Sequence, residues 1–285
     1  MRWQGGRRSS NIEDRRGRGG VPKLLGGGLG TIAVILVAMY FGVDPTPLLE
    51  GIQSGGQASS TGTRPGADDL KDDPLADMVS VVVADTEDVW TEIFAANGRR
   101  YEAPTLVMFT GATHSACGLG QAAMGPFYCP LDKMAFIDLS FYEQMKTRFN
   151  APGDFAQAYV IAHEVGHHVQ NLLGISGKVR SMQQQLDEAD SNALSVRLEL
   201  QADCLAGVWA NHADRTRNIL EAGDVEEALN AASAIGDDTL QRQSRGTVVP
   251  ESFTHGTSAQ RQRWFRVGLD SGDINRCDTF GAENV

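Results

Sequence analysis

The strongest chemical signal in the chain is a pair of histidines around a glutamate: His163-Glu164-Val165-Gly166-His167. Residues four apart on a helix lie only about 40° apart around its axis, so both imidazoles leave one face. Neutral imidazoles are good zinc ligands, and two of them one turn apart can share an ion. Glu164 stands between them, near the ion but poorly placed to bind it. It is placed to take a proton from a water polarised by the metal, which is the chemistry of metal-assisted hydrolysis. The bland alternative is an amphipathic helix with surface histidines. Against it, Ala158, Tyr159, Ile161, Ala162 and Val165 make this segment more apolar than a solvated face.

A hydrolytic zinc ion takes three protein ligands and keeps one position open. The expected third is Glu199, in Glu199-Leu200-Gln201-Ala202-Asp203, with Asp203 one turn later on the same face. A carboxylate beside a ligand histidine accepts its ring N–H and fixes the tautomer, which is the role expected of Asp203. Two acids at this spacing also fit a solvated helix face. His168 lies about 100° round from His167 and is expected to miss the metal. Cys204, about 140° from Glu199, is an equally poor ligand. His114 reads as a loop residue and His212 as a surface one. His255 precedes a helix. It is either a residue of the helix start or a donor to an oxyanion, and the residue types leave both open.

The elements that must position these groups follow from pattern. Residues 155–173 form a strong helix expectation, closed by Gly174, and residues 179–210 a helical stretch with at least one break. Residues 79–95 read as a strand or a short strand–helix unit stopped by Gly98. Residues 104–109 and 134–141 read as strands by their apolar, β-branched content. Further helices are expected at 225–235 and 258–267. Strands first and helices afterwards predict an α+β domain.

The 285 residues carry 41% hydrophobic and 21% charged side chains, which excludes a wholly disordered chain and a multi-pass membrane protein. The net charge of −11 is uneven. Residues 1–23 hold Arg2, Arg7, Arg8, Arg15, Arg16, Arg18 and Lys23 against Glu13 and Asp14, so the rest is strongly acidic and is not expected to bind nucleic acid. Residues 24–43 are uncharged, and at 1.5 Å per residue a helix of that length spans about 30 Å of hydrocarbon. The expectation is a basic cytoplasmic segment (1–23), one uncleaved transmembrane helix (24–43), a flexible linker (44–75) and an exported domain (76–285) in the bacterial cell membrane. Four cysteines in an exported domain imply disulfides, expected as Cys117–Cys129 and Cys204–Cys277, one of three connectivities.

The segments GPFYCPLD, HEVGHHVQ, ELQADCLAGVWA, THGTSAQRQRWF and CDTF together resemble the bacterial neutral zinc metallopeptidase family of YpfJ type. The resemblance implies a zincin-like fold in which a small mixed sheet precedes the H-E-x-x-H helix and a second helix bears the glutamate ligand. It implies Zn2+ held by His163, His167 and Glu199, with Glu164 as general base and Asp203 orienting a histidine. Thr254-His255 with Arg261 is similar to a segment of prenyl-protease relatives, except that Gly256 stands where they have proline. That makes His255 a candidate for transition-state stabilisation. The resemblance also implies that residues 135–141 form the edge strand beside which a peptide would lie. The expected activity is that of a membrane-anchored zinc metalloendopeptidase. The alternatives are a zinc-stabilised envelope module without catalysis, or a zinc amidase acting on cell-wall peptide.

Overall fold

A computed structural model describes residues 1–17 and 70–285. The expected transmembrane helix at 24–43 and most of the expected linker lie outside the described residues. Among the described residues no helix is long and apolar enough to cross a membrane.

The chain begins with strand β1 (Ile12–Asp14) and resumes with helix α1 (Pro74–Ala96). Asp73 caps α1 by accepting from the Leu75 and Ala76 amides, and Pro74 fills the first turn, where no amide donor is needed. The Val81-Val82-Val83 run is therefore helical, not a strand. It is buried, as is Trp90 one face along, and packing overrides the β preference of valine. The helix ends before Gly98, which takes φ +66°.

Strands β2 (Thr105–Phe109), β3 (Ala112–Ser115), β4 (Gly118–Gln121), β5 (Phe127–Cys129) and β6 (Met134–Asp138) follow. One sheet runs β1-β2-β6-β5. Its first three strands are parallel and β5 is antiparallel at the edge; β3 and β4 form a separate hairpin. The strand expected over 134–141 stops at Asp138, whose side chain accepts the Ser140 amide and turns the chain into α2 (Ser140–Thr147). Strand β6 has neighbours on both sides, so it is not the edge. That position belongs to β5.

The helical part comprises α3 (Asp154–Leu172), α4 (Ile175–Gln183), α5 (Glu188–Arg217), α6 (Asp224–Ala234), α7 (Asp237–Arg245) and α8 (Ser258–Ser271). Gly174 at φ +76° separates α3 from α4, and the expected break in the next stretch falls at residues 184–187. Helix α8 crosses α5 so closely that a Cβ on Gly268 would sit 1.9 Å from the Cys204 carbonyl oxygen. The Cys204–Cys277 disulfide ties α5 to the C-terminal segment, and Cys117–Cys129 ties the β3–β4 hairpin to β5. Both expected pairings are present. The α+β class holds as well.

Residues 1–17 differ from the separate basic segment expected of them. Ile12 is fully buried and β1 pairs with β2 in register Ile12–Leu106. The positive charge that read as a free tail is matched by the acidic face of α1 and its flanks. Arg8 makes a two-pronged pair with Asp77 at 2.8 and 2.7 Å. Arg7 reaches Glu87 and Asp88, and Arg16 reaches Asp14 and Asp73. Ser9 and Asn11 both donate to the buried Glu87 carboxylate. Strand β1 and the residues after 70 are thus parts of one folded unit. A single membrane crossing between them, with one part cytoplasmic and the other exported, would separate partners that this packing holds together. Replacing Asp77 by Ala removes this two-pronged, partly buried pair and should cost about 1 kcal/mol, a fall of a few degrees in Tm. An unchanged melting curve would show that the pair adds nothing to the fold.

Candidate metal centre

Helix α3 presents His163, Glu164 and His167 to a cleft of about 640 Å3, and α5 presents Glu199 to the same space. The two helices meet where the motif has its glycine. A Cβ on Gly166 would lie 2.9 Å from the Ala202 carbonyl oxygen, so any larger residue pushes α5 away from the histidines. At this separation Glu199 reaches both rings, Oε2 to His163 Nε2 at 3.2 Å and Oε1 to His167 Nε2 at 3.3 Å. His163, His167 and Glu199 each offer one ligand atom, all within 4.8 Å of one another. Zinc bonds of about 2.0–2.1 Å in a tetrahedron give ligand–ligand edges of about 3.3 Å, so these donors fit a zinc ion in both type and spacing. His255, from the loop before α8, lines the cleft too. Its Nδ1 faces Asp237 at 3.3 Å, and the ring is half exposed.

The rings are held from behind. Asp203 is fully buried, and its Oδ1 takes the His163 Nδ1–H at 2.8 Å and the Tyr159 hydroxyl at 2.5 Å. Arg261, also buried, grips the same carboxylate with Nε at 2.8 Å and Nη2 at 2.9 Å. On the other ring, Gln170 Oε1 lies 2.9 Å from His167 Nδ1, while its amide donates to the Leu198 carbonyl at 2.7 Å. Both ligand imidazoles therefore turn Nε2 to the cleft, as one metal ion requires. Tyr159, Gln170 and the contact made by Arg261 were not found in the sequence. Gln170 is three residues from His167 and Tyr159 four before His163, so helical spacing carried a signal for both. Arg261 is 58 residues from Asp203, and nothing local connects them.

The electrostatics suit a cation. Burial acts to raise the Asp203 carboxyl, but the charges of Arg261 and His163 outweigh it and hold the group down at about 2. Burial acts to lower His163, and Asp203 with Glu199 overcomes it, pushing the ring up to about 10. The site is negative enough to keep a proton on a buried imidazole, and a divalent ion competes for that place. Burial pushes Glu164 up, the direction that suits a proton acceptor working near neutrality.

The remaining candidates lie elsewhere. His168 is buried, faces away from the ligand cluster, and burial brings it down to about 4. Cys204 is in its disulfide. His114 sits exposed on β3, and His212 bonds the Gly272 carbonyl.

Comparison with known proteins agrees with this centre. Residues 1–280 match a family described as "Putative neutral zinc metallopeptidase". The chain is 54% identical over 290 residues to the uncharacterized protein YpfJ of Escherichia coli K12, covering 99% of each. It is 46% identical over 195 residues to the uncharacterized protein Rv2575 of Mycobacterium tuberculosis H37Rv, covering 65% of each. No solved structure matches. The matched residues include β1. On this evidence the chain belongs to the neutral zinc metallopeptidase family, and its cofactor is Zn2+.

Proposed function

We propose that the protein is a zinc-dependent endopeptidase, with His163, His167 and Glu199 as metal ligands and Glu164 as general base. The observation that carries this reading is the meeting of three donor atoms from two helices in a cleft that also contains Glu164 and borders the sheet edge. Bound Zn2+ supplies Lewis acidity, activating water and polarising the scissile carbonyl. Glu164 accepts the proton of the attacking water and returns it to the leaving amine. Asp237 raises the pKa of His255 and favours its protonated ring, which gives Nδ1–H to Asp237 and keeps Nε2–H to donate toward the carbonyl oxygen as charge develops there.

The substrate strand is proposed to add to β5, because Phe127 and Tyr128 line the cleft and, among the described residues, β5 pairs with β6 alone. Outside the catalytic cluster and Arg261, the charged residues lining the cleft are Arg148 and Arg180. The other walls are largely apolar, including Met124, Phe141 and Phe149. That lining favours an apolar peptide bearing a carboxylate over a basic one. Two disulfides suit an oxidising compartment. Attachment to a membrane through residues 24–43, which lie outside the described residues, is part of this proposal.

Glu164→Gln should fold and retain zinc but lose at least about 100-fold in kcat on peptides. Residual activity equal to wild type would remove Glu164 from the role of base. Zinc at 100 times its Kd should raise stability by about 2.7 kcal/mol, and Glu199→Ala should abolish that increment in thermal melts with and without metal. Asp203→Asn should cost about 3–5 kcal/mol, since it leaves Arg261 buried without its counter-charge. Denaturant titration measures it, and a loss under 1 kcal/mol would show that the pair is dispensable.

A further inference from the structure

The third histidine of the motif is unused by the metal, yet it is 0% exposed. Its Nε2 lies 2.6 Å from the Glu102 carbonyl oxygen, which can only accept, so Nε2 carries the proton. Its Nδ1 is then an acceptor, and the Tyr128 hydroxyl donates to it at 2.9 Å. Asn171, three residues further along α3, donates to the same hydroxyl oxygen at 3.1 Å and reaches the Pro130 carbonyl at 3.4 Å. Tyr128 is the middle residue of β5, a strand only three residues long. Its neighbour Phe127 stacks on Phe136 of β6 at 4.7 Å, leaving Tyr128 to face the helix. Successive residues of a strand point to opposite faces, so one residue of β5 is fixed to the sheet and the next to α3.

We infer that His168 is a positioning residue, which sets through Tyr128 the placement of the substrate-bearing edge β5 relative to the metal helix α3. Consecutive residues of one helix then serve two ends of one reaction. His167 turns to the ion, and His168, about 100° further round, holds the strand along which the peptide must lie. The scissile carbonyl has to arrive within a fraction of an ångström of its place, and a strand this short cannot fix that distance with a single ladder partner. This inference rests on the proposed peptidase reading and on β5 as the substrate edge.

The test uses the full chain and five variants: His168→Ala, His168→Asn, His168→Gln, Tyr128→Phe, and the double variant that combines His168→Ala with Tyr128→Phe. Kinetics are read on a peptide long enough to span the cleft, together with zinc content and backbone hydrogen exchange of β5. His168→Ala and Tyr128→Phe should each raise KM about tenfold with kcat changed by less than about threefold, zinc retained and β5 amides exchanging faster. The double variant should be no worse than either single one, because both remove the same bond. Asparagine places an acceptor near the position of Nδ1, and glutamine places a donor near that of Nε2. KM should therefore recover in His168→Asn and not in His168→Gln. Loss of zinc with β5 exchange unchanged would overturn the inference and make His168 a support of the metal helix alone. Additive effects in the double variant would overturn it as well. A wild-type chain that cleaves no peptide counts against the peptidase reading, and β5 exchange in the variants still decides the coupling.

Discussion

A single buried carboxylate, Asp203, is the joint on which the centre depends. It is 0% exposed and touches three elements: Tyr159 and His163 on α3, its own α5, and Arg261 on α8. A buried charge is costly unless it is paired and hydrogen-bonded, so each of these contacts is needed by the others. The result is one imidazole fixed in direction, its Nδ1–H committed to Asp203, before any metal arrives. Close helix approach makes the joint possible. Gly166 lets α3 meet α5, and Gly268 lets α8 meet α5 at the turn that carries Cys204. Asp203, Tyr159 and Arg261 are shielded from bulk solvent where the three helices meet, which strengthens the charge interactions among them.

The other end of the domain is organised by charge of the opposite arrangement. Arg7 and Arg8 meet the acids of α1, and β1 extends the sheet beside β2. These pairs are partly exposed, so each contributes modestly to stability. The buried part is Ile12 together with the Ser9 and Asn11 bonds to Glu87. Their larger effect is to make residues 1–17 part of the same folded unit as the metal centre.

Between these two ends lies the cleft, with rigid walls of different kinds. The metal wall is helical and held by buried ion pairs. The opposite wall includes the short strand β5, held by β6, by the Cys117–Cys129 bridge and by the Tyr128 hydroxyl. An edge strand must leave its backbone groups free for a partner, so it cannot be secured by a further strand. Side-chain bonds to α3 secure it without occupying that edge.

Local spacing alone determined a large part of this site. His163, Glu164 and His167 share one helical face because of the 3.6-residue period, and Glu199 and Asp203 share another for the same reason. The breaks at Gly98 and Gly174 were equally legible, since both residues sit at positive φ. What the sequence could not decide was how separate elements meet. The valines of α1 take a helical form because the core encloses them. β5 takes the edge because β6 pairs with β2. Arg261 finds Asp203 across 58 residues because α8 crosses α5 at a glycine. Residues 1–23 read as a separate basic segment because the acids that Arg7 and Arg8 meet lie on α1, more than sixty residues on. Periodicity is written within one element, whereas charge pairing, strand order and helix contact arise between elements and exist only once the chain has folded.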